Sequence, residues 1–238
     1  MLASMTEPAR PKQRRMARAG EPIDLALTLP VFVAYHLGVV FLNVKNASDV
    51  VTGLLLQVAE GSKAMYLLLT GAIGLVFAGV FVWRSKGQAF RLSKFVQIAV
   101  EGVVYALLMR LAGAYVVGAL FAGKVHLGGF AGVVMSLGAG FYEELTYRLL
   151  LFGGGLWLLR MPLFTSLTKT LVTLAWAVVC AAIFSAVHYF GPLGDTFELR
   201  SFVFRLVLGL ALTAIFSFRG FAAAVWAHAA YDIWVLVL

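Results

Sequence analysis

The sequence predicts an all-α protein: a polytopic bundle of membrane helices with about seven spans and one further helix on the membrane surface. Of the 238 residues, 62% are hydrophobic and only 13% are charged, and the mean hydropathy is +0.93. These values lie outside the range of soluble globular domains. Apolar segments of about 20 residues, the length that crosses a bilayer as a helix, recur along the chain.

The basic residues are explained by membrane topology rather than by nucleic-acid binding. The net charge is +8, but the Lys and Arg residues are spread between apolar segments and do not form one face. Twelve of the 19 lie on the side of the N-terminal tail and four on the other, which predicts a cytoplasmic N-terminus. The single cysteine, Cys180, can form no internal disulfide and is interpreted as a packing residue.

The N-terminal part contains a tail, two spans and a surface helix. Residues 1–22 are polar and basic and predict a cytoplasmic tail, followed by one membrane domain over 23–238. The first span is predicted over 25–44; its His36 is interpreted as a packing or interfacial residue. Residues 46–63 alternate apolar and polar positions, which favours an amphipathic helix on the membrane surface. The second span is predicted over 64–83.

The C-terminal part carries the remaining predicted spans and most of the charged residues within them. The third span, 95–122, contains Glu101 and Arg110, which must face the bundle interior or lie near an interface. A glycine-rich apolar segment over about 127–159 follows, and small residues there allow close helix packing. Further spans are predicted over 170–190, 201–218 and 221–238.

Two adjacent glutamates and an arginine lie inside the segment 127–159. A charged side chain at bilayer depth costs roughly 2.5–3.5 kcal/mol on insertion scales, so such residues are functional or paired by default. Glu144 and Arg148 are four residues apart on one helix face, which favours an ion pair, whereas Glu143 points about 100 degrees away. The alternative, glutamates at a helix end near headgroups, is disfavoured because the apolar run continues through Leu159.

Further polar residues in the last spans can meet these glutamates. His228 and Asp232 are four residues apart and share a helix face, as do Phe184 and His188. A glutamate buried in apolar surroundings is a competent general base, and histidines can hold a water or an oxyanion. Alternatively, His188, His228 and Glu143 could bind a divalent metal such as zinc. The three short motifs are Glu143-Glu144-x-x-x-Arg148, Phe184-x-x-x-His188 and His228-x-x-x-Asp232.

In this order on successive apolar segments, the motifs resemble those of the CPBP family of intramembrane proteases, which joins CAAX proteases and bacteriocin-processing, Abi-like enzymes. The resemblance covers roughly residues 95–238. It implies that Glu143 is the catalytic base, that His188 positions the water and that His228 stabilises the oxyanion. Glu144 and Arg148 would form a supporting pair.

Asp232 departs from the pattern of the eukaryotic Ras-processing members of this family. The resemblance implies that those members have an asparagine at the corresponding position. An ionised aspartate accepts hydrogen bonds but cannot donate one to an oxyanion. Asp232 is therefore expected to orient or charge His228, or to support a metal. The family is often labelled metalloprotease, and the resemblance leaves the metal requirement open.

The sequence therefore predicts an intramembrane endopeptidase that cleaves a membrane-associated or lipidated protein near its end. Its partners would be that substrate and the lipid bilayer, with no nucleic acid. A compact basic chain without a recognisable organelle signal is expected in a bacterial inner membrane. Two alternatives keep the same polar cluster: a non-proteolytic membrane binding or scaffold protein, and a proton-coupled transporter, which is disfavoured because repeated halves with interrupted helices are not visible.

Overall fold

The computed structural model describes residues 22–46, 49–85, 92–118, 129–159, 166–191 and 194–238. Within these ranges the regular structure is helical, without a strand. The predicted all-α helical bundle is confirmed. The predicted basic tail lies, except for Pro22, outside the described residues.

The helices follow the predicted segments closely. In chain order they are α1 (Pro22–Leu42), α2 (Val50–Val58), α3 (Lys63–Ser85), α4 (Leu92–Val117), α5 (Gly129–Gly138), a π-helical segment (Ala139–Gly154), α6 (Gly155–Leu158), α7 (Ser166–Val187), α8 (Leu199–Arg219) and α9 (Phe221–Leu236).

Four of the described helices are long and apolar enough to cross a membrane, namely α3, α4, α7 and α8. Two shorter apolar stretches, Ala26–Leu42 in α1 and Phe221–Leu236 in α9, accompany them. Large apolar side chains such as Leu75, Trp83 and Tyr115 are exposed on the outer faces, as expected for contact with lipid. The count of seven spans stays a prediction.

Helix α9 forms the centre of the bundle. It packs against α1, α4, α5, α8 and the π segment, and its alanines from Ala222 to Ala229 are almost completely buried. Small residues let the neighbouring backbones approach. At Gly140, an added Cβ would lie 2.8 Å from the carbonyl oxygen of Val225 and 2.8 Å from the Cβ of Ala229. The glycine-rich stretch therefore brings the π segment directly against α9.

The glutamate-containing stretch is a π-helix rather than an α-helix. It runs for 16 residues, Ala139–Gly154, with i to i+5 hydrogen bonds, a geometry that usually occurs as a single turn and often at functional sites. α5, the π segment and α6 follow one another without a break over 129–158, so the predicted segment 127–159 is one helical rod of changing pitch.

The two charged residues within α4, expected to face the bundle interior or lie near an interface, both have partners. Glu101 forms a bidentate ion pair with Arg219 at the end of α8, with a shortest distance of 2.7 Å. The guanidinium carbon of Arg110 lies 5.4 Å from the ring centre of Trp234 in α9. Both contacts connect α4 to the C-terminal helices outside the buried glutamate cluster.

Candidate active site

The buried centre of the candidate site is a chain of charged groups that runs from Arg148 through Glu144 to His228. The Nη1 atom of Arg148 lies 3.0 Å from Oε1 of Glu144, so the ion pair expected from their spacing is present. The same carboxylate oxygen lies 2.7 Å from Nδ1 of His228. All three side chains are buried, and a buried charge requires such pairing.

Arg148 has further contacts that hold its guanidinium. Its Nη2 donates to the backbone carbonyl of Gly209 in α8 over 3.4 Å, and its guanidinium carbon lies 4.2 Å from the ring centre of Phe184 in α7. A cation over an aromatic face is stabilised by the ring quadrupole. Arg148 thus joins the π segment to α7 and α8.

Glu143 is separated from the Glu144–Arg148 pair but also faces His228. Its Oε2 lies 3.8 Å from Nε2 of His228, beyond a direct hydrogen bond. Its Oε1 accepts a hydrogen bond from Nδ2 of Asn46 over 3.4 Å. The arrangement agrees with the sequence expectation that one glutamate is paired and that its neighbour points elsewhere.

His188 and His228 both pack edge-on against the ring of Phe184. The ring centre of Phe184 lies 5.2 Å from that of His188 and 6.0 Å from that of His228. Nδ1 of His188 donates to the carbonyl oxygen of Phe184 over 2.8 Å, which leaves Nε2 as an acceptor in the neutral ring. Phe184 of α7 therefore contacts both His188, which follows the last residue of α7, and His228 of α9.

Asp232 lies one turn after His228 on α9, as its spacing predicts. Its Oδ2 is 3.6 Å from Nε2 of His228, and its side chain is 21% exposed, whereas that of Glu144 is fully buried. Carboxylates therefore face both nitrogens of the His228 ring: Glu144 at Nδ1, and Glu143 and Asp232 at Nε2.

The structure gives polar partners to His36, which the sequence analysis interpreted as a packing or interfacial residue. His36 in α1 is buried and contacts two tyrosine hydroxyls, Tyr66 through Nδ1 at 2.5 Å and Tyr142 through Nε2 at 2.8 Å. Tyr142 is the residue before Glu143. His36 is thus a packing residue with two polar contacts, and it joins the first two predicted spans to the glutamate segment.

Asn46 was not singled out in the sequence analysis, and no spacing pattern could have identified it. It precedes α2 instead of lying in the predicted surface helix, and it is 7% exposed. Its contact with Glu143 spans 97 positions of sequence. The available signal was weak: a polar residue between an apolar span and an amphipathic segment.

The part of the chain that the structure describes contains no ligand set for the zinc alternative. No group of three His, Cys, Asp or Glu side chains is placed there to hold a metal ion. Nδ1 of His228 and Nδ1 of His188 are both engaged in hydrogen bonds. Binding of zinc by His188, His228 and Glu143 stays a prediction.

Together, the fold and the site define a polytopic membrane protein with a buried acid–histidine centre of the kind that activates water. Residues 126–234, just under half of the chain, match the family model described as Type II CAAX prenyl endopeptidase Rce1-like. This segment contains all three motifs, and the match confirms the resemblance to the CPBP intramembrane proteases. Neither a curated protein nor a solved structure gives a significant match.

The family match supports intramembrane protease activity in general terms. Together with the apolar helices, it also supports an integral membrane protein. For the family, the substrates implied are prenylated or membrane-associated proteins.

Proposed function

We propose that the chain is an intramembrane endopeptidase that hydrolyses a peptide bond near the end of a membrane-associated or lipidated protein, with Glu143 as general base. The observation that carries the proposal is the meeting of the three motifs at one buried point, between the π segment, α7 and α9. A structural ion network needs only Glu144, Arg148 and His228. Glu143 and His188 lie beside that network and are available for a reacting water.

In the first step, Glu143 takes a proton from a water molecule while the water oxygen attacks the carbonyl carbon of the scissile peptide bond. His188 holds the water through Nε2, since its Nδ1 proton is donated to the carbonyl oxygen of Phe184. The carbonyl oxygen becomes an oxyanion. When the C–N bond breaks, Glu143 returns the proton to the departing amine, and the products are a carboxylate and an amine.

His228 stabilises the oxyanion through Nε2. Its Nδ1 proton is donated to Glu144, so donation from Nε2 requires a ring that carries both protons. Glu144, Glu143 and Asp232 surround this ring with carboxylates. Asp232 orients His228, and Arg148 holds Glu144 in place. A preorganised donor of this kind typically contributes about 10² to 10³ in rate.

The steps above use only side chains of this chain, and a metal requirement needs a separate test. Metal analysis of the purified protein, combined with cleavage assays after chelation, tests the point directly. Full activity in metal-free protein agrees with the mechanism above. If chelation abolishes activity and zinc restores it, the result would instead support His188, His228 and Glu143 as zinc ligands.

The proposed function is tested by comparing the C-termini of membrane proteins in cells that carry either the native chain or Glu143→Gln at matched expression. The substitution keeps the shape of the side chain and removes the base. New termini that appear only with the native chain are expected and identify the substrate. Identical termini, with the variant still folded and bound to its partners, would favour the non-proteolytic binding protein.

A further inference from the structure

We propose that Asn46, which follows α1, is a positioning residue for Glu143. This inference rests on the proposed function for its catalytic consequence. Asn46 precedes the segment 126–234 that matches the family model, and it lies in none of the three motifs. The supporting observation is a direct contact between the two side chains in a buried place.

The contact divides the two oxygens of the Glu143 carboxylate between different neighbours. Oε1 accepts from the amide of Asn46, and Oε2 faces Nε2 of His228. An amide nitrogen is a donor only and keeps its protons near neutral pH. Asn46 therefore holds Oε1 whatever the state of the rest of the cluster, and Oε2 remains on the side of His228 to receive the proton of the water.

The backbone of Asn46 is held by a further set of hydrogen bonds. Its backbone N–H donates to the hydroxyl of Tyr35 over 3.1 Å, and that hydroxyl donates to Oδ2 of Asp49 over 2.7 Å. Oδ1 of Asp49 accepts from the backbone N–H of Thr52 over 2.8 Å at the start of α2. Tyr35, Asp49 and Thr52 are all buried. The backbone of Asn46 is thereby tied to the buried Tyr35–Asp49 pair and, through Asp49, to the start of α2.

The same N-terminal elements fix the neighbour of Glu143 as well. Tyr142 contacts His36 in α1 through its hydroxyl, and His36 contacts Tyr66 in α3. Two consecutive residues of the π segment, Tyr142 and Glu143, are thus anchored by α1, α3 and the connection after α1. Positioning of a catalytic group within a fraction of an ångström matters, since a displacement of about 1 Å can cost on the order of 10²-fold in rate.

The test exchanges the two ends of the contact. In Asn46→Asp, a carboxylate replaces the amide, so two carboxylates face each other. In the double variant Asn46→Asp/Glu143→Gln, the amide and the carboxylate have changed places and the hydrogen bond can form again. Asn43→Asp is the matched control: it makes the same chemical change three positions earlier, at an exposed residue whose positive φ of 55° aspartate also tolerates.

We expect Asn46→Asp to lower kcat by roughly tenfold or more with little change in KM, because substrate contacts are not altered. The melting temperature of the purified protein should fall in Asn46→Asp and rise again in the double variant, which stays inactive because it lacks the base. Asn43→Asp should match the native chain in both measurements. Glu143→Gln alone should melt at the same temperature as the native chain.

Two results would overturn the proposal. One is a native kcat in Asn46→Asp; the other is a double variant that melts no higher than Asn46→Asp alone. The melting arm needs no substrate. If the native chain cleaves nothing while the double variant recovers its stability, the contact is established and the proposed protease function fails.

Discussion

Nδ1 of His228 lies 2.7 Å from Oε1 of Glu144, and the same oxygen lies 3.0 Å from Nη1 of Arg148. One carboxylate oxygen therefore joins a histidine of α9 to an arginine of its own π segment. Because all three groups are buried, each depends on the others for its charge to be tolerated.

Removal of the arginine is expected to destabilise the bundle strongly. Arg148→Met keeps much of the side-chain volume but leaves Glu144 with His228 as its remaining charged partner. Breaking a buried pair from one side typically costs about 3–5 kcal/mol. Equilibrium unfolding in mixed detergent micelles measures this loss.

The comparison for that variant is Glu101→Gln, which breaks the partly exposed pair with Arg219. Exposed pairs contribute about 0–1 kcal/mol. Equal losses in Arg148→Met and Glu101→Gln would contradict the buried, cooperative description of the cluster around Glu144.

Asp232 is expected to tolerate asparagine far better than leucine. In Asp232→Asn, the amide oxygen can still accept from Nε2 of His228, or the amide can itself donate to the oxyanion. Cleavage should remain within about tenfold of the native rate, whereas Asp232→Leu should lose on the order of 10²-fold. Initial rates with purified protein and an identified substrate measure the difference. Equal activity of the two variants would show that Asp232 does not act on His228.

The contacts of His36 predict that the stability lost in His36→Phe is partly regained when the hydroxyls of Tyr66 and Tyr142 are also removed. His36→Phe leaves the hydroxyls of Tyr66 and Tyr142 buried without that partner, at about 1–3 kcal/mol for each. Replacing both tyrosines by phenylalanine in the same chain removes the unsatisfied groups. The triple variant should therefore be more stable than His36→Phe in thermal unfolding. A triple variant that is less stable would show that the hydroxyls find other partners.

Gly140 is expected to tolerate no side chain. A Cβ there would lie 2.8 Å from the carbonyl oxygen of Val225, so Gly140→Ala must move α9 away from the π segment and should lower both stability and cleavage. Gly71→Ala in α3 is the control, since a Cβ at that position has nothing within 4 Å. It should be neutral or stabilise by up to about 1 kcal/mol. Similar behaviour of the two variants in unfolding assays would contradict the close approach.

Local patterns in the sequence were sufficient to predict the helices and the contacts between residues of one helix. Apolar length predicted where the long helices α1, α3, α4, α7, α8 and α9 lie, because a chain in lipid must satisfy its backbone groups within the segment. The spacing of four between Glu144 and Arg148 predicted their ion pair, and the same spacing placed Asp232 beside His228.

The π geometry of Ala139–Gly154 was not predicted. The expectation for this stretch was an ordinary helix, and the sequence carries no established signal for an i to i+5 register over so many residues. Gly140 lies in the glycine-rich segment where close helix packing was expected, but the helix that it contacts, α9, could not be named from the sequence.

The sequence by itself determined what kinds of groups are present and which of them share a helix face, since both depend on composition and on the helical period. Only the tertiary structure decided that Asn46 reaches Glu143 and that His36 reaches Tyr142. Those contacts join positions about a hundred residues apart, and they arise from the packing of α1 against α5 and the π segment. Helical periodicity carries no information about such packing, because it describes each segment relative to its own axis alone.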